Sequence, residues 1–114
     1  MLTPQLVSAV LEFRKARDWE QFHSARNLAT ALSVEASELL EHFVWTNDLQ
    51  ESQIVKERRS AIAEEIADLA ILLTYLTHDL SIDIEAVVSA KIQANALKYP
   101  IEKARGSNKK YTDL

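Results

Sequence analysis

Apolar residues recur along this chain at the spacing of an amphipathic helix in four stretches. Leu6, Val10 and Phe13 mark the first, predicted from Pro4 to Arg17, with Thr3 as its N-cap and Pro4 at the first helical position. The second, from about Ser24 to Trp45, carries Leu28, Ala31, Leu32 and Leu39 on one side. The third starts near Leu49 or Ser52 and runs to about His78, with Ala61, Ile62, Leu69, Leu72 and Leu76 as its stripe. The fourth spans Ile84 to Lys98 and stops before Pro100, because the residue preceding a proline is pushed away from helical geometry. Residues 99–114 read as an extended C-terminal tail. Short connections between four helices predict an all-α protein, a four-helix bundle forming a single domain over residues 1–114.

Composition narrows the choice. One glycine and two prolines in 114 residues leave few turn signals for an all-β fold. The absence of cysteine removes disulfides and thiolate metal sites. The most apolar run, Ile66 to Leu76, is interrupted by Asp68 and is too short to span a bilayer, so no membrane partner is expected. No positively charged, apolar leader opens the sequence, and a soluble cytoplasmic protein is expected. The net charge of -4 weighs against binding of a nucleic acid polymer.

Four carboxylates interrupt the apolar stripes. Glu35 stands within the stripe of the second helix and Glu38 follows it by three; Glu65 stands within that of the third and Asp68 follows by three. Residues three apart on a helix are neighbours, so the period points two acid pairs toward the bundle interior. Gathering four ionised carboxylates in a core costs several kcal/mol through desolvation and mutual repulsion, and a divalent cation relieves both. Hard oxygen ligands suit Mg²⁺, with Mn²⁺ as a substitute. The competing reading leaves these acids on the solvated edges of their helices, as is reasonable for Glu41 and Glu64. A di-iron bundle would need a Glu-x-x-His pair on each of two helices, and the sequence has only one, Glu20 to His23, between the first two predicted helices.

Glu35-x-x-Glu38 followed by Glu65-x-x-Asp68 resembles the metal signature of the MazG-like all-α NTP pyrophosphatases. The segments Arg17 to Trp45 and Lys91 to Pro100, and the ending KKYTDL, are similar to the dCTP pyrophosphatase branch of that superfamily, so the resemblance extends from about Phe13 to Leu114. It implies Mg²⁺ held by Glu35, Glu38, Glu65 and Asp68, and an oligomer, usually a dimer of dimers, in which helices of two chains build each pocket. It implies that Lys91 and Asn95, with Lys98 in the same Lys-x-x-x-Asn-x-x-Lys-Tyr-Pro segment, contact the nucleotide, and that Trp19, His23 and Trp45 line the base pocket. Each also has a plainer reading. The tryptophans could be core or interface residues, His23 a helix-start residue, and Lys91 and Lys98 solvated charges. Asn95, a poor helix former in a helix interior, calls for a reason, and a ligand contact is a fair one.

The implied reaction is hydrolysis of a nucleoside triphosphate to the monophosphate and pyrophosphate, with Glu38 orienting or deprotonating the water and Lys91 offsetting charge on the leaving group. Leu72 and Val10 stand where the branch often carries an aromatic residue and a histidine. A partial preference for dCTP-like substrates, with dATP the competitor, is therefore expected. No Walker lysine loop is present, which excludes a P-loop NTPase. Two other readings remain: a non-catalytic helical oligomerisation module, and a nucleotide-sensing module that hydrolyses too slowly to matter.

Overall fold

The computed structural model describes residues 1–114 and is all-helical, with no strand. Six α-helices follow in order: α1 (Pro4–Ala16), α2 (Ala25–Glu41), α3 (Asp48–Glu57), α4 (Arg59–Asp79), α5 (Ile84–Lys98) and α6 (Ile101–Ala104). Single 3₁₀ turns occupy Glu20–Phe22 and Tyr111–Asp113. No helix is long and apolar enough to cross a membrane.

The four expected helices therefore become six, and the local reasons are visible. The α1 start is as the sequence suggests: the Thr3 hydroxyl accepts from the Leu6 amide at 3.2 Å, and Pro4 sits at the first position. Ser24 caps α2 by accepting from the Asn27 amide at 3.1 Å. That helix ends at Glu41, four residues earlier than expected. His42 to Thr46 continue through tighter turns, with Phe43 and Val44 amides donating to Leu40 and Glu41 carbonyls, and Trp45 reaches φ +63°. A non-glycine residue at positive φ does not continue a helix.

The predicted third helix is two helices. Asn47 and Gln50 form a reciprocal capping box that starts α3. Arg58 then leaves helical geometry at φ -109°, ψ 18°, which separates α3 from α4. Its guanidinium donates to the His42 carbonyl at 3.0 Å, satisfying a backbone group beyond the end of α2.

The chain divides into two compact units, Met1–Ser81 and Ile82–Leu114. In the first, α2 and α4 pack along each other, and α1 and α3 each lie against α4. Leu28, Ile54, Thr74 and Tyr75 are buried there, and the Thr74 hydroxyl donates back to the Ala70 carbonyl at 2.7 Å. Such a core is small for the amount of apolar surface present. Leu40, Phe22 and Leu49 are mostly exposed, and Trp45 is 99% exposed.

In the second unit, α5 has the bounds the sequence suggests, with Asp83 accepting from the Ala86 amide as its N-cap. The segment expected to be an extended tail carries α6 and the Tyr111–Asp113 turn. Pro100 begins that short helix rather than only ending α5. Tyr111 then meets Tyr99 edge to face at 6.0 Å, and the Lys98 ammonium lies 4.9 Å from the Tyr111 ring centre. These contacts supply the apolar and cation–π anchoring that an extended tail would lack.

Candidate functional site

The seam between α2 and α4 carries the four acids. One turn of α2 presents Glu35 and Glu38, and one turn of α4 presents Glu65 and Asp68. Carboxylate oxygens of Glu35, Glu38 and Glu65 all lie within 4.8 Å of one another. Asp68 stands outside that trio but lines the same cavity as Glu35. His42 adds a nitrogen, its Nε2 3.7 Å from a Glu65 oxygen. Glu41 and Glu64 are exposed.

Electrostatics follow from this crowding. The Glu35 carboxyl is pushed up to about 7, first by a hydrogen bond shared with Glu38, then by burial, then by the charges of Glu38, Asp68 and Glu65. Close carboxylates resist holding their full charge together, and one proton is retained near neutrality. One Glu35 oxygen, Oε2, is buried with no hydrogen-bond partner. Buried polar atoms without partners are rare and call for an explanation. An orphaned carboxylate oxygen beside two further carboxylates matches what a hard divalent cation requires of its ligands.

Beside the acids lies an open cavity of about 450 Å³, within the size range of small-molecule sites. Its wall is mostly apolar, from Val10 and Phe13 of α1, Trp19 and His23 of the following loop, and Leu72 and Tyr75 of α4, with Glu35 and Asp68 also lining it. Local backbone chemistry places the loop residues. Asp18 takes φ +53°, a region that Asp tolerates better than most side chains, and this lets the Trp19 amide turn back to the Arg14 carbonyl at 3.1 Å. Trp19 then meets Phe13 edge to face at 5.7 Å, while the His23 ring lies 5.1 Å from that of Tyr75. The result is an apolar, aromatic cup with anionic oxygens in its lining. It suits a flat ring against the aromatic wall and a cation at the carboxylates.

Of the three residues expected to line the base pocket, two do so. Trp19 and His23 line the cavity, and Trp45 does not. Lys91, Asn95 and Lys98 share one exposed face of α5, in the second unit. Sequence reasoning missed Arg14, Asp79 and Tyr75. Arg14 is buried and binds Asp79 through both terminal nitrogens, at 2.8 and 2.7 Å, which holds the Asp79 carboxyl below its ordinary range. The signal available was an arginine four residues after Val10, beside the apolar stripe of α1.

Comparison with known proteins bears on the same residues. The family model described as MazG-like matches residues 30–114, which includes all four acids. The chain belongs to the MazG-like family. Over 105 residues this MazG-like chain is 41% identical to dCTP pyrophosphatase 1 of Rattus norvegicus, and 40% identical to dCTP pyrophosphatase 1 of Homo sapiens. Each match covers 90% of this chain and 62% of the relative, so the chain spans under two thirds of the length of either. A crystal structure of a pyrophosphatase from Archaeoglobus fulgidus superposes with a TM-score of 0.82 at 37% identity, covering 84% of this chain and 90% of that one.

Proposed function

We propose that this MazG-like protein hydrolyses (deoxy)nucleoside triphosphates to the monophosphate and pyrophosphate in the presence of Mg²⁺, with Mn²⁺ as a substitute. The observation that carries the reading is the orphaned, buried Glu35 oxygen among clustered carboxylates in the wall of a base-sized aromatic cavity. Relatives named dCTP pyrophosphatase support the substrate class. We favour dCTP-like substrates with dATP as a competitor, because Leu72 and Val10 leave the cup largely apolar.

Glu35, Glu38, Glu65 and Asp68 would hold the metal, which when bound neutralises triphosphate charge and acidifies water. Glu38, exposed at the edge of the cluster, is assigned to orient a water and take its proton. The water oxygen bonds to the α-phosphorus as the bond to the bridging oxygen breaks, and pyrophosphate leaves with that electron pair. Trp19 stacks on the base and His23 meets its edge. Lys91 offsets charge on the pyrophosphate, while Asn95 and Lys98 bind sugar or phosphate; these three assignments rest on the Lys91-to-Pro100 resemblance. Trp45 completes a base pocket within an oligomer. Trp45, Leu49, Leu40 and Phe22 are large apolar side chains left exposed, which supports their burial against further copies in a homotetramer, a dimer of dimers.

The test is pyrophosphate release from dCTP, dATP, dGTP and dTTP with Mg²⁺, with Mn²⁺, and with chelator. Metal-dependent release with dCTP and dATP ahead supports the assignment. Nucleotide binding without turnover supports a sensing module instead, and neither binding nor turnover supports a purely structural one.

A further inference from the structure

His23 enters the cavity wall with one ring nitrogen already engaged. Its Nδ1 lies 3.4 Å from Nη1 of Arg14. A guanidinium carries only donors and stays charged at every working pH. An N–H at Nδ1 would therefore confront another N–H, so Nδ1 must accept and the single proton of the neutral ring must sit on Nε2.

Arg14 cannot readily swing away to relieve that constraint. Its side chain is 5% exposed, it binds Asp79 end-on through Nη1 and Nη2, and it lies over the Tyr75 ring at 4.5 Å from the centre. Tyr75 is itself fixed, its hydroxyl donating to the Val10 carbonyl at 3.0 Å. Each terminal guanidinium nitrogen has two hydrogens, so Nη1 can serve Asp79 and His23 together. Burial first, and the Arg14 charge second, lower the proton affinity of His23 and keep its ring neutral near pH 7.

We propose that Arg14, clamped by Asp79, is a positioning residue that holds His23 as an Nε2–H donor, so that the cavity selects nucleobases presenting an acceptor ring nitrogen on their pairing edge. The ligand class rests on reading the cavity as a base pocket; the tautomer does not. Cytosine and adenine carry an unprotonated ring nitrogen at the centre of that edge, whereas thymine and guanine carry an N–H there. A fixed donor thus groups dCTP with dATP against dTTP and dGTP, a division by edge chemistry and not by ring size. Facing a donor with a donor leaves both unpaired, which supports a preference of about tenfold or more in kcat/KM.

The experiment has two readouts on the full chain. Nitrogen NMR of the His23 ring near pH 7 is expected to show Nδ1 unprotonated and Nε2 protonated in the wild type and in Arg14→Lys, and a mixture of both forms in Arg14→Met/Asp79→Leu. In parallel, the preference for dCTP and dATP over dTTP and dGTP should persist in Arg14→Lys and fall toward that of His23→Ala in the double variant. A wild-type proton on Nδ1 overturns the positioning role, and needs no variant that folds. A mixed tautomer with unchanged preference overturns the selectivity. If no triphosphate is hydrolysed the proposed function fails, while the ring spectrum still decides what Arg14 does.

Discussion

Replacing Glu35 with glutamine in the metal-free protein should remove a stability penalty that wild type acquires as pH rises. The Glu35 carboxyl moves from an ordinary value of 4.5 to about 7 on folding. A carboxyl whose folded value is raised favours the folded state while it is protonated in both states, and that advantage is lost as pH climbs through the folded value. Below pH ~4.5 Glu35 adds no penalty; above about 7 it is charged beside Glu38, Asp68 and Glu65 and the whole penalty is present. At ~1.4 kcal/mol per pKa unit the shift caps the effect at about 3 kcal/mol. Glu38 is exposed and Glu35 keeps partial contact with solvent, so water screens the repulsion and ~1–2 kcal/mol is expected. His23 titrates with the opposite sign, since its lowered value gives stability that is present above its ordinary 6.5 and lost as pH falls. Subtracting the two proteins cancels that contribution. The assay is urea denaturation of wild type and Glu35→Gln with chelator at pH 5 and pH 8, at one protein concentration because assembly also shifts stability. The variant should gain little at pH 5 and ~1–2 kcal/mol at pH 8, or roughly 4–8 °C in Tm. An equal difference at both pH values would refute electrostatic crowding at Glu35.

Glu38→Gln, Glu65→Gln and Asp68→Asn should each lower kcat with Mg²⁺ by about 100-fold or more, close to 3 kcal/mol of barrier, while circular dichroism stays helical; full activity in any two removes the tetrad from the reaction. Trp19→Ala should raise KM for all four dNTPs alike, since stacking on a base is worth ~1–3 kcal/mol and every base has a π-face; unchanged KM values would place the base elsewhere. Multi-angle light scattering should give a homotetramer, and Trp45→Ala should raise KM for every nucleotide; a fully active monomer at assay concentration would contradict assembly of the site.

How much of this was legible in the sequence depends on range. The Thr3, Ser24 and Asp83 caps each act over three residues, and the bounds of α1 and α5 follow from such local chemistry. Glu35 and Glu65 were legible because a position inside an apolar stripe fixes a face without any tertiary knowledge, whereas their i+3 partners Glu38 and Asp68, expected in the interior, are exposed. The break at Arg58 was not, because no proline or glycine marks it; the Asn47–Gln50 box starts α3 locally, and Arg58 reaches back to the His42 carbonyl 16 residues away. The clamp around His23 was further out of reach. Arg14 and Asp79 are 65 residues apart, and a lone arginine beside an apolar stripe reads as a solvated charge until its partner is known. Trp45 shows the reverse case: its aromatic identity suggested a pocket wall, while its positive φ and full exposure depend on a turn the periodicity did not reveal.

The most direct test of the proposed reaction is where water's oxygen goes. Turnover of dCTP with Mg²⁺ in heavy-oxygen water, with products separated and weighed by mass spectrometry, should give dCMP carrying the label and unlabelled pyrophosphate, because attack occurs at the α-phosphorus. Label in pyrophosphate, or products that are dCDP and inorganic phosphate, would contradict the assignment.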